Sequence, residues 1–188
     1  MKRTLLLALA VVAVASLSFA QQPWIGLYTD DPGYSDCNLE DTAPGLCAVY
    51  MVQGGHSAIS AEFRIDNTNS GGILNTGINW NVPVAIIPSG ETLFSAGASL
   101  GYGACLVSPV KLGTLNYFCQ GTTPACSSLD VVAHAQTGEA TIADCTLPSP
   151  VVIIATTLKL TINGDVSCPC GVPVETTSWG QIKALYSE

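Results

Sequence analysis

Few side chains in this chain are spaced as chemistry would need them. Gly97-Ala98-Ser99-Leu100-Gly101 has the G-x-S-x-G form of a hydrolase nucleophile elbow. That mechanism needs a strand before the serine, a helix after it, and a histidine reached through an acid further on. His134 does follow Asp130, but the two share one strand pattern, on its outward side. Ser99 is followed by Gly101-Tyr102-Gly103-Ala104-Cys105, which starts no helix. A small secreted serine hydrolase using Ser99 is therefore the second reading of function, behind a non-enzymatic one.

The other candidates are weaker. Asp30, Asp31, Asp36, Glu40 and Asp41 crowd a loop rich in Pro and Gly from Asp30 to Gly45. Calcium favours such oxygen-rich loops, yet the spacing matches no EF-hand, and a solvated loop closed by a disulfide is the plainer expectation. His56 and His134 are the only histidines, so a zinc site would need ligands brought from afar. Trp80 between Asn79 and Asn81 has the chemistry of a sugar-stacking site, but its alternation with Ile78 and Val82 points it into a core. Cys168-Pro169-Cys170 lacks the neighbouring base or helix start that would lower a thiol pKa. No cofactor and no metal are expected.

The eight cysteines, Cys37, Cys47, Cys105, Cys119, Cys126, Cys145, Cys168 and Cys170, read as a disulfide framework. Spacing suggests Cys119 with Cys126, Cys37 with Cys47, and Cys105 with Cys145. Cys168 and Cys170 are then left to each other or to an exchange with one of those pairs.

An oxidising compartment agrees with the N-terminus. Lys2 and Arg3 precede an apolar run from Leu5 to Leu17, and Ser18-Phe19-Ala20 supplies small residues where a signal peptidase reads, so 1–20 is a signal peptide. The expected mature domain, 21–188, is secreted, extracellular or periplasmic, with no membrane insertion after cleavage. Without Lys2 and Arg3, four basic residues face fourteen acidic ones, a net charge of -10. That excludes nucleic acid, which demands basic patches. The partner is instead an unidentified protein, glycan or envelope component.

The elements that must position any site are strands. Ile59, Ala61, Phe63 and Ile65 alternate with Ser60, Glu62 and Arg64, the period of a strand with one buried face. Leu46–Val52 and Ser57–Ile65 flank Gln53-Gly54-Gly55-His56, a hairpin signal. In KLGTLNYFCQGTTPACSSLDVVAHA, 111–135, Leu115, Tyr117 and Cys119 share one parity, as do Leu129, Val131, Ala133 and Ala135, which predicts a second hairpin stapled by Cys119 and Cys126. Val152, Ile154, Leu158, Leu160 and Ile162 suggest a long last strand with a bulge near Thr156. Ser178-Trp179-Gly180-Gln181 resembles a capping box and predicts a short C-terminal helix. About nine short strands with no intervening amphipathic helix imply an all-β, antiparallel β-sandwich with disulfides.

The segments AISAEFRI (58–65), KLGTLNYF (111–118) and TTSWGQIKALY (176–186) resemble uncharacterised bacterial exported proteins with a cohesin-like or immunoglobulin-like sandwich. Cohesins bind dockerin modules through one sheet face. The eight cysteines depart from them, so the resemblance implies a fold and no binding residue.

Overall fold

In the segment 58–66, Ala61, Phe63 and Ile65 are buried while Ser60, Glu62 and Arg64 are half-buried, as alternation requires of a strand with one face in a core. A computed structural model describes residues 22–170 of the chain. The expected signal peptide and C-terminal helix lie outside the described residues.

In chain order the strands are β1 (Trp24–Tyr28), β2 (Asn38–Leu39), β3 (Pro44–Gly54), β4 (Ala58–Asp66), β5 (Leu74–Trp80), β6 (Val84–Ile86), β7 (Ala98–Leu106), β8 (Val110–Gln120), β9 (Ser127–Val132), β10 (Thr141–Asp144), β11 (Val152–Ile154), β12 (Thr156–Thr157) and β13 (Lys159–Ile162). One sheet has the order β12-β1-β3-β8-β5. In the other, β4 pairs with β7, which pairs with β6, and with β9 and β10. From Asp66 back to Ser60, the partners on β9 and β10 are Asp130, Val131 and Val132, then Thr141, Ile142 and Ala143. The two strands thus act as one neighbour interrupted by the excursion 133–140. β13 and β11 pair with β9 and β10 in turn, and β2 closes the edge. All pairs are antiparallel except β1 with β12 and β2 with β13. The result is an all-β sandwich.

Ile25, Leu27, Val49, Met51, Leu115 and Tyr117 of the first sheet meet Phe63, Ile65, Leu129, Val131, Ile142 and Leu160 of the second in a continuous core. Each large side chain withdrawn from water in this way contributes about 1.5–3 kcal/mol.

Both expected hairpins are corrected. β3 and β4 follow one another through the predicted turn but belong to different sheets, as do β8 and β9. Alternation reports which face of a strand is apolar. It does not say whether two apolar faces lie side by side in one sheet or look at each other across a core, and here they look at each other. The last strand is also corrected. It breaks into β11, β12 and β13, with Val152 and Ile154 exposed and Leu160 and Ile162 buried. At Ala155 the chain leans across to pair Thr156 and Thr157 with β1, which reverses the inward parity.

Four disulfides follow from this topology: Cys37–Cys170, Cys47–Cys119, Cys105–Cys145 and Cys126–Cys168. The first two expected pairs, Cys119 with Cys126 and Cys37 with Cys47, are replaced. Cys119 ends β8 beside β3, where Gly45 is its register partner and Cys47 lies two residues along. Cys126 has left that sheet, and Cys168 and Cys170 each reach a different part of the molecule rather than each other.

Candidate functional site

The outer face of the second sheet is the most distinctive surface. Ala85 and Ile153 pack on the core, so Val84, Ile86, Val152 and Ile154 point outward and are 47 %, 61 %, 67 % and 59 % exposed. Between these aliphatic rims run β7, β4 and β10, whose outward residues are small: Ser99, Gly101, Ser60, Thr141 and Ala143, with Glu62 the one charge. Large residues at both sides and small ones between make a trough of about 360 Å³. Gly101 faces Val84 in register, and Ser99 faces Ile86.

Ser99 and Glu62 are register partners on β7 and β4, and the serine Oγ donates to Glu62 Oε1 at 2.6 Å. Ser99 lies within an extended strand that continues to Leu106, so the strand-to-helix turn of a nucleophile elbow is not formed. Gly97, ahead of it, has φ of +102°, and a Cβ there would come within 2.6 Å of His134 Cδ2 and 2.5 Å of the Phe63 carbonyl.

That contact shows where the excursion 133–140 goes. His134 and the Cβ of Arg64 meet beside Gly97, and Ala135 N–H donates to the Ala96 carbonyl at 2.9 Å. Arg64 is on the outward parity of β4, so the excursion folds as a flap over the outer face beyond Glu62. It buries His134 to 2 % exposure, against the expectation of an outward strand position. The His134 Nδ1 accepts from Gln136 N–H at 3.3 Å.

The acidic loop is built inward on itself. Asp30 accepts from the N–H groups of Ser35 and Asp36 and from the Ser35 hydroxyl. Asp31 accepts from Tyr34 and Lys111. Asp36 accepts from Thr29 Oγ1 and Asn38 N–H, and Asp41 from Gly121 and Thr123 N–H. These carboxylates close turns, and they are not gathered about a common point as calcium ligands would be. The loop lays Tyr34 against Tyr28, and burial with the Asp31 contact pushes the Tyr34 hydroxyl up to about 12.

Burial acts to raise the Asp30 carboxyl, but the N–H groups of Asp36 and Ser35 with the Ser35 hydroxyl outweigh it and hold its pKa below the ordinary value. A carboxyl lowered in the folded state lends stability that is complete above the ordinary aspartate range and lost as pH falls through the lowered value. Asp30→Asn should therefore destabilise at neutral pH and converge on the parent chain in acid, as read by urea midpoints at several pH values. Equal destabilisation at every pH would refute the anchoring role.

The remaining candidates disperse. His56 sits in the β3–β4 turn, where its carbonyl accepts from Gln53 Nε2. Trp80 is half-buried against the core, as its parity implies. Cys126, Asp165 and Cys168 cluster closely enough for a metal, but both sulfurs are in one disulfide and offer no thiolate. The rims of the trough were missed in the sequence: Val151-Val152-Ile153-Ile154 is apolar throughout, so no alternation marks which side chains point out.

No family model matches the chain, and no curated protein matches it. Solved structures that it is similar to are cohesin modules. One, from a Clostridium perfringens family 33 glycoside hydrolase, shares 10 % identity over 77 % of this chain and 99 % of its own, at a TM-score of 0.49. The sixth cohesin of Acetivibrio cellulolyticus scaffoldin B, solved with a Cel5 dockerin mutant, shares 17 % over 77 % and 99 %, at 0.47. The seventh ScaB type I cohesin of Pseudobacteroides cellulosolvens shares 10 % over 81 % and 96 %, at 0.46.

Proposed function

We propose that this chain is a non-enzymatic exported module that holds a protein partner in the trough on the outer face of its second sheet. The observation that carries this reading is the pair of aliphatic rims. Four branched side chains between 47 % and 67 % exposed on one sheet face forgo about 1 kcal/mol or more each, and contiguous apolar surface of this kind is what protein interfaces bury. The floor of small residues admits a convex partner, and Glu62, tied to Ser99, gives it one polar point to register against. Four disulfides support a place outside the cytoplasm.

A photo-crosslinking residue at position 86 or 152, in the protein exported by its own cell, should give a discrete protein adduct that Val84→Asp abolishes. The same probe at Leu147, 83 % exposed but not among the residues that line the trough, should give none. Absence of any adduct at 86 and 152 refutes the reading. So does fluorophosphonate labelling that is lost in Ser99→Ala, which would restore the hydrolase.

A further inference from the structure

The outer face of the first sheet has a different chemistry. Near β1 it is covered: Tyr28 and Val52 are buried with Trp24, Tyr34, Tyr50 and Cys170 about them. Toward β5 it is open. Leu115, Tyr117 and Cys119 point into the core, so Thr114, Asn116 and Phe118 of β8 face outward. Their register partners complete three rows across β3, β8 and β5: Leu46, Phe118 and Leu74; Ala48, Asn116 and Gly77; Tyr50, Thr114 and Asn79. Leu46, Leu74 and Phe118 are 84 %, 55 % and 39 % exposed. A groove of about 460 Å³ crosses the middle row.

The groove owes its depth to a β-bulge. Pairing with β8 skips Thr76, and the position of a Cβ on Gly77 meets nothing within 4 Å. The bulge turns the Thr76 hydroxyl to the Asn116 carbonyl, 3.1 Å away, and Asn116 Nδ2 donates to Gly77 O. The Asn79 side chain is exposed and makes no hydrogen bond among the described residues.

We propose that this groove binds a neutral polysaccharide chain. The three rows carry no charged residue, and Lys111, which follows Val110 at the start of β8, is committed to Asp31 and to the Tyr50 ring, 5.3 Å from its centroid. Among the described residues, an anionic ligand would find no free cation in these rows to pair with. An apolar protein surface would leave the amides and hydroxyls of the second and third rows unmatched, which costs affinity. A sugar chain meets both chemistries. The C–H face of a pyranose ring lies on the Phe118 ring beside Leu46 and Leu74, and its hydroxyls reach Asn79, Thr114 and Asn116. Two residues of strand rise separate successive rows, so the surface from Phe118 to the Tyr50 row spans roughly 13 Å, room for about two sugars of an extended chain.

Affinity electrophoresis of the mature protein in native gels containing mixed-linkage β-glucan, xyloglucan or galactomannan tests this, with polygalacturonate as the acidic control. Retardation is expected in at least one neutral gel and not in the acidic one. Phe118→Ala and Asn79→Ala, the latter at an exposed position, should each weaken it by roughly tenfold, the scale of one well-placed contact. Ile86→Asp, on the opposite face, should leave it unchanged, which separates this groove from the protein-binding trough. No retardation in any neutral gel, equal retardation in polygalacturonate, or indifference to both Phe118→Ala and Asn79→Ala overturns the proposal.

Discussion

Replacing Cys37 and Cys170 together by alanine should lower the unfolding free energy by about 3–5 kcal/mol. The bridge spans a sequence separation of 133, the largest of the four. In the chain-entropy treatment the cost of closing a loop is removed from the unfolded state, and the gain grows with the logarithm of loop length. The bridge also seals a small second core. Cys37 and Tyr28 are both fully buried, and the Tyr28 ring stands 5.7 Å from that of Trp24 and 6.0 Å from that of Tyr34. Loss of the bridge should loosen that cluster before the main core, so the fluorescence of Trp24 should change at lower guanidinium than the far-UV dichroism. Cys105→Ala with Cys145→Ala is the comparison. Its separation is 40, and the same logarithm makes its expected loss about 1 kcal/mol smaller. A Cys37/Cys170 variant within about 1 kcal/mol of the parent would refute the assignment.

The strands were legible in the sequence wherever one face is apolar and the other is not. Phe63 between Glu62 and Arg64, and Leu129 and Val131 beside Asp130, are read correctly because burial of every second side chain is a local property. Sheet membership is not local. β8 and β9 share the apolar parity expected of hairpin partners, and it is equally the parity of two strands facing across a core, so the intervening loop could be placed either way. The cysteine pairs inherit that ambiguity, since a bridge between Cys119 and Cys126 presupposes the hairpin. His134 was misplaced for a related reason. Its pattern continues the alternation of β9, but the strand ends at Val132 and the chain folds over Arg64. The two candidate binding faces were the least legible. The trough needs β6 and β11 at opposite sides of one sheet, and the groove needs a bulge at Thr76. Neither follows from residue types alone.

Asp41→Ala should cost about 2–4 kcal/mol, because it strands several buried groups at once. Asp41 is 2 % exposed, and its carboxylate accepts from Gly121 N–H at 2.6 Å and Thr123 N–H at 3.2 Å. Its own backbone is held by Asn163, whose Oδ1 accepts from Asp41 N–H at 2.8 Å, and whose Nδ2 donates to the carbonyls of Asp41 and Thr123. Asn163 has φ of +50°, a conformation that asparagine tolerates better than most residues, and the Asn38 side chain accepts from Gly164 N–H beside it. The hub ties the start of β3, the end of β8 and the end of β13 where the two sheets meet. Burial works to raise the Asp41 carboxyl, but the Thr123 hydroxyl and the N–H groups of Gly121, Thr122 and Thr123 prevail and hold it below the ordinary range. By linkage this stability is present above the ordinary aspartate pKa and drains away as pH falls through the lowered value. Asp41→Asn keeps one acceptor and removes the charge. It should be less damaging than alanine at neutral pH and should approach the parent in acid, where the parent carboxyl is itself protonated. Urea unfolding at neutral and acid pH measures both effects. If Asp41→Ala costs under about 1 kcal/mol, or the gap between parent and Asp41→Asn does not narrow in acid, the hub does not hold the sheets as its hydrogen bonds imply.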